Sequence, residues 1–226
     1  MFLSSKTRPA VKICCIQSVR EARLAIQCGA SAVGLVSAMP SGPGVISDER
    51  IAKIAAALPA DIPAFLLTSL TDAEAVIAQH RRCKTAVIQL CDRLARGTHA
   101  DLRRALPGVK LVQVVHVREQ SSIAEALRQA LSADALLLDS GNQAAAVKEL
   151  GGTGRVHDWN FSRRIVEECD IPVFLAGGLN PENVGRAVRA VNPFGLDVCS
   201  GLRTGGKLDA GKVKSFFEAI ASARAV

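Results

Sequence analysis

Two side chains in this sequence stand where general acid–base chemistry is done. Cys14 closes the apolar run 11–14, and Asp139 follows the apolar run 135–138. A free thiol titrates near ~8.5, so nearby positive charge readily gives it a useful thiolate fraction. A carboxylate at the end of a Leu-rich run is costly unless it is solvated or used. A thiolate base and a carboxyl acid on opposite sides of a substrate can move protons without a metal. Each also has a plainer reading. Buried cysteine often serves as a small hydrophobe, the reading taken for Cys28, Cys83 and Cys169. Asp139 could serve as a helix cap or a loop hydrogen-bond acceptor. Cys15 is expected to point away from Cys14, because side chains alternate along an extended chain.

Two loops look suited to an anion. Gly177-Gly178 precedes Asn180-Pro181-Glu182-Asn183, and Ser200-Gly201 follows the run 195–198. Glycines let backbone N–H groups approach a phosphate closely, and a helix N-terminus adds a favourable dipole. A Gly-Gly pair alone marks only a tight turn. Two such loops after successive strands make Gly177, Gly178, Ser200 and Gly201 the expected phosphate cradle.

Something must hold these groups together. Eight short runs, 11–14, 32–36, 64–67, 86–90, 111–115, 135–138, 173–176 and 195–198, are rich in Val, Ile and Leu with little polar alternation. Parallel strands buried on both faces read this way. Helical patterns lie between them: one from Glu21 that ends at Gly29, one over 48–58, one opened at Thr71-Asp72 with a capping box to Glu74, one opened at Asn180, and one over 210–223. Eight strand–helix units without a polar linker predict an α/β fold, a single (β/α)8 TIM barrel domain over 1–226. An open doubly wound sheet is the alternative. It would need a glycine-rich fingerprint after the first strand, where Cys14-Cys15-Ile16-Gln17 stands instead. The longest irregular stretch, 140–158, is read as a functional loop.

Composition narrows the partners. The chain has 226 residues and a formal net charge of +7, but its basic residues are scattered, so the charge suits mild steering of an acidic metabolite. There is no tyrosine and one tryptophan, which leaves no aromatic platform for single-stranded nucleic acid. No apolar run approaches the ~20 residues that span a bilayer. Seven cysteines without a CxxC pair and no secretory pattern point to free thiols in a reducing cytoplasm. Cysteines and histidines do not cluster at zinc-ligand spacing. The expected partner is a phosphorylated small molecule, with no nucleic acid and no membrane; the sequence leaves the oligomeric state open.

The same residues carry a resemblance. Lys12-Ile13-Cys14-Cys15-Ile16 resembles the Lys-Ile-Cys-Gly-Ile opening of phosphoribosylanthranilate isomerases, and Leu138-Asp139-Ser140 their Leu-Asp-Ser/Thr. Gly151-Gly152-Thr153-Gly154 with Asp158-Trp159 resembles their Gly-Gly-Thr/Ser-Gly…Phe-Asp-Trp loop. The stretch 175–184 is similar to their phosphate-loop signature, 196–201 to Val-Asp-Val-Ser-Ser-Gly, and Gln89-Leu90 to the start of Gln-Leu-His-Gly. The matches fall in family order across nearly the whole chain.

The resemblance implies an aldose–ketose isomerase of tryptophan biosynthesis. Its reaction is the Amadori rearrangement of N-(5-phosphoribosyl)anthranilate to a 1-amino-1-deoxyribulose 5-phosphate, without a cofactor. Asp139 would protonate the furanose ring oxygen and Cys14 would take the proton from C2. Gln89 and Asp197 fall in matching segments and are carried as further substrate contacts.

The departures concern the aglycone side. Gly44 stands where the family has an arginine thought to grip the anthranilate carboxylate, Cys91 and Asp92 replace His and Gly, and Arg203 replaces a Glu. Arg203, or else Arg93, is expected to supply the missing charge. On that expectation Arg203→Ala raises KM, and Gly44→Arg changes little. Two other readings stay open: a diverged paralogue that isomerises another phosphorylated aminosugar, and a non-catalytic phosphate-ligand binding barrel. The second would need neither Cys14 nor Asp139.

Overall fold

A computed structural model describes residues 9–141 and 157–223. Strands β1 (Ala10–Ile13), β2 (Ala32–Val36), β3 (Ala64–Thr68), β4 (Val87–Leu90), β5 (Lys110–His116), β6 (Ala135–Asp139), β7 (Val173–Leu175) and β8 (Gly195–Val198) close into a parallel barrel in sequence order. Nearly every strand residue is buried, because one face packs the barrel interior and the other packs the helices. The barrel expected from the sequence closes, which rules out the alternative open sheet: β8 pairs with β1 in register, with Lys12 opposite Asp197 and Ile13 opposite Val198.

The helices are α1 (Val19–Gln27), α2 (Asp48–Ala56), α3 (Ala73–Cys83), α4 (His99–Ala105), α5 (Ser121–Ala130), α6 (Trp159–Glu168), α7 (Val184–Val191) and α8 (Ala210–Ala223). Three starts differ from the sequence expectation, the first being α1, which begins at Val19, two residues before Glu21, with Ser18 as its cap. Helix α3 is capped by Asp72, whose carboxylate accepts from the N–H groups of Glu74 and Ala75, so Thr71 and Glu74 form no capping box. Helix α7 begins at Val184. Asn180 forms a separate turn before it, its side-chain oxygen accepting from the N–H groups of Glu182 and Asn183. Helix α2 ends two residues early, where the Ala57 N–H turns back to the Ile54 carbonyl.

The barrel floor is filled by Phe65 and Phe174, packed edge to face at 6.2 Å. Gly195 makes the room: a Cβ there would meet the Phe174 ring at 2.4 Å. Above this plug the strand ends open into a cavity. Residues 142–156, including Gly151-Gly152-Thr153-Gly154 and most of the stretch read from the sequence as a functional loop, lie outside the described residues.

Candidate active site

One cavity at the C-terminal end of the barrel is lined by Cys14, Gln89, Asp139, Gly177, Gly178, Asp197 and Ser200. Seven of the nine residues expected to act on substrate therefore meet at the end of the fold where barrel enzymes work.

Cys14 follows β1 and is fixed by its N–H bond to the Val198 carbonyl at 2.8 Å. Its thiol sits over Gly34 of β2, where a Cβ would stand 2.8 Å from the sulfur. Two residues earlier on the same strand face lies Lys12, fully buried. Its ammonium bonds Asp197 Oδ1 at 2.7 Å and lies 5.3 Å over the Phe65 ring. Burial alone would lower the Lys12 pKa. The Asp197 carboxylate outweighs it, aided by the Cys14 sulfur, and the pKa ends above its ordinary value. A fixed cation thus lies beneath the thiol. Sequence reasoning passed over Lys12. Its signal was a lone charge in an otherwise apolar buried run, a position that requires a buried counterion.

Asp139 ends β6 beside His116 of β5, its register partner. Burial pushes its carboxyl pKa up; the Ser140 N–H, bonded at 2.7 Å, and the nearby His116 only partly oppose this. The loop hydrogen bond anticipated as a plainer role exists, and the raised pKa favours a protonated carboxyl besides. Gln89 reaches the cavity with its side-chain oxygen buried and unbonded, which leaves an acceptor for a ligand hydroxyl.

Gly177 and Gly178 hold φ of 84° and 62°, a left-handed pair that glycine adopts without strain. Asn183 braces the turn by donating to the Gly178 carbonyl at 2.9 Å. Because α7 starts only at Val184, this cradle is built from loop backbone rather than from the helix end expected at Asn180. Gly201 does not line the cavity. A Cβ on it would lie 2.0 Å from the Leu179 carbonyl oxygen, so its role here is to let the loop after β8 press against the loop after β7.

Four expectations around the cavity mouth are corrected. Arg203 does not face the cavity. Its guanidinium is nearly buried, paired with Glu21 at 3.0 Å, and donates to the carbonyls of Gly206, Cys14 and Cys15. With its donors spent on the protein, it is a clamp between α1 and the β1 and β8 loops, not a carboxylate receptor. Arg93 is half exposed and paired with Glu125 at 2.5 Å. Cys15, expected to point outward, also lines the cavity. Its φ of 61° turns the chain out of the extended path, so alternation fails there. Gly44, at φ 83°, abuts it: a Cβ at 44 would stand 2.5 Å from the Cys15 Cβ. Gly44→Arg therefore cannot be a silent change. Among the described residues no arginine or lysine lines the cavity.

Comparison with known proteins places the chain in a family. Residues 11–219 match the family described as N-(5'phosphoribosyl)anthranilate (PRA) isomerase. The chain belongs to the PRA isomerase family. It is 38% identical over 208 residues to N-(5'-phosphoribosyl)anthranilate isomerase 2 of Methanosarcina mazei, covering 91% of each chain. Among solved structures, phosphoribosyl anthranilate isomerase from Thermotoga maritima is 26% identical with a TM-score of 0.78, covering 95% of this chain and 99% of that one. A PRA isomerase in complex with reduced 1-(o-carboxyphenylamino)-1-deoxyribulose 5-phosphate is 25% identical with a TM-score of 0.76, covering the same shares. In this member of the PRA isomerase family, Cys14 and Asp139 line one cavity and Gly44 stands on the second loop. Among the described residues no helix is long and apolar enough to cross a membrane.

Proposed function

We propose that this chain catalyses the Amadori rearrangement of N-(5-phosphoribosyl)anthranilate to 1-(o-carboxyphenylamino)-1-deoxyribulose 5-phosphate, an isomerase step of tryptophan biosynthesis. One observation carries the reading: Cys14 and Asp139, from strands β1 and β6, line the same cavity as the Gly177-Gly178 and Ser200 loops. The loops hold the phosphate through backbone N–H groups. Asp139, whose carboxyl pKa burial raises, gives its proton to the furanose ring oxygen, and the ring opens to a C1 Schiff base. Cys14, with Lys12 beneath it, takes the C2 proton as thiolate. The enolamine then tautomerises to the C2 ketone. Gln89 accepts from a ribose hydroxyl. Proton number is conserved, so no cofactor enters.

The contact between Cys15 and Gly44 favours a second reading. With no arginine on the second loop, the cavity accepts a phosphorylated aminosugar whose aglycone lacks a carboxylate. Purified protein and N-(5-phosphoribosyl)anthranilate decide between the two. Loss of anthranilate-type fluorescence at an enzymatic rate supports the first reading. No turnover of this substrate, with turnover of the aniline analogue, supports the second.

A further inference from the structure

Three thiols converge at the cavity mouth. Cys15 interacts with both Cys14 and Cys199, and all three line the cavity. Cys14 and Cys15 continue β1, and Cys199 continues β8, its paired neighbour. The register that pairs Ile13 with Val198 puts Cys14 across from Cys199 and Cys15 one residue further on, where a strand spacing of ~4.8 Å and a rise of ~3.3 Å set the Cα atoms roughly 6 Å apart, within the ~4.4–6.8 Å that a disulfide spans. The left-handed turn at Cys15 takes its side chain out of strand alternation and into the cavity lining, and the bare Gly44 leaves the volume it occupies. The proposed isomerase chemistry uses neither Cys15 nor Cys199.

We propose that Cys15 and Cys199 form a reversible disulfide site, oxidised by hydroperoxides, that switches the neighbouring catalytic centre off. Cys199 is the attacking thiol. Its contact with Cys15 and the nearby Arg203 guanidinium hold its pKa below the ordinary value, despite burial. Its thiolate attacks the peroxide O–O bond, forming Cys199 sulfenic acid and releasing water from hydrogen peroxide. The Cys15 sulfur then attacks the sulfenyl sulfur, and hydroxide leaves as water with the Cys15 proton. Two thiols are oxidised by two electrons, and one peroxide is reduced to two waters. Among the described residues no group of His, Cys, Asp and Glu is arranged to hold a metal ion, so the thiols are read as a redox pair. Each bridged cysteine is the chain neighbour of a proposed site residue. Cys15 follows Cys14, and Cys199 precedes Ser200. A bridge therefore strains the base and the phosphate cradle together.

The test treats reduced full-length protein with hydrogen peroxide and maps thiols by mass spectrometry. A loss of two hydrogens, with the peptides of Cys15 and Cys199 joined, is expected in wild type and also in Cys14→Ser. This arm does not depend on the activity assigned above. The activity arm does: wild type loses turnover on oxidation and regains it with dithiothreitol, while Cys199→Ser and Cys15→Gly resist that reversible loss. A bridge that requires Cys14, irreversible oxidation of Cys14 first, or equal reversible inactivation of both variants overturns the proposal. Should either variant fail to fold, the Cys14→Ser map still decides.

Discussion

Gly44 and Cys15 compete for one volume, since a side chain on Gly44 would begin 2.5 Å from the Cβ of Cys15. The absence of the second-loop arginine and the presence of a second cysteine after β1 are thus one structural fact. Both residues sit at positive φ, where only one of the two is glycine. Gly44→Arg is expected to destabilise by about 2–4 kcal/mol from backbone strain and overpacking. Cys15→Gly in the same chain should return part of that loss, as residues in contact couple. Urea unfolding of the two single variants and the double variant measures the coupling. Additive losses would show that the two positions do not share space.

Cys14→Ser and Asp139→Asn should each lower kcat by about 10²–10⁴-fold, the range of a lost general acid or base. Phosphate affinity should stay near wild type, because the loops after β7 and β8 are untouched. Steady-state kinetics alongside inorganic phosphate titration would separate the two effects. A variant that keeps wild-type kcat removes its residue from the mechanism.

The Asp139 carboxyl gives a signed pH dependence. Its folded pKa is raised by burial, so the native state holds this proton more tightly than the unfolded chain. Stability from this group therefore falls as pH rises from about 3.9, the unfolded value, through the raised folded value. Asp139→Asn lacks that fall. Relative to wild type, the variant should gain stability in denaturant titrations as pH rises from about 4 through the raised folded pKa. In kinetics the acid form is the active one, so kcat/KM should drop on the alkaline side. An alkaline limb that persists unchanged in a residually active Asp139→Asn would assign it to another group.

Arg203→Ala should act through the protein rather than on the substrate. It leaves Glu21 unpaired and frees the carbonyls of Cys14 and Cys15. A loss of about 2–3 kcal/mol is expected for this largely buried pair. The kinetic signature is a fall in kcat from a misplaced Cys14, visible in single-turnover rates. A pure rise in KM with unchanged stability would return Arg203 to the substrate.

The strands were readable because a segment buried on both faces must be apolar almost throughout, and few other elements read that way. Cys14 and Asp139 were readable for the complementary reason: polar groups at the ends of such runs need a use. Lys12 was missed although it shares the strand face of Cys14, because its partner Asp197 lies 185 residues away and only barrel closure brings them together. Arg203 was misassigned for a like reason. Its partner Glu21 is 182 residues distant, and nothing local marks the arginine as already engaged. Cys15 escaped alternation because its backbone leaves the extended region, which a non-glycine residue gives little sign of doing.

Those two long-range ion pairs, Lys12 with Asp197 and Arg203 with Glu21, both cross the seam where the first and last units of the chain meet. During synthesis Lys12 and Glu21 emerge long before their partners. A ribosome-bound fragment ending before β8 holds two charges whose burial nothing yet balances, so β1 and α1 gain little from packing until the final unit arrives. Contacts of such high sequence separation form late and slowly. Closure is then all-or-none: the ring gains its first strand and its last together, and a chain stopped short of residue 197 should remain a protease-sensitive, open arc.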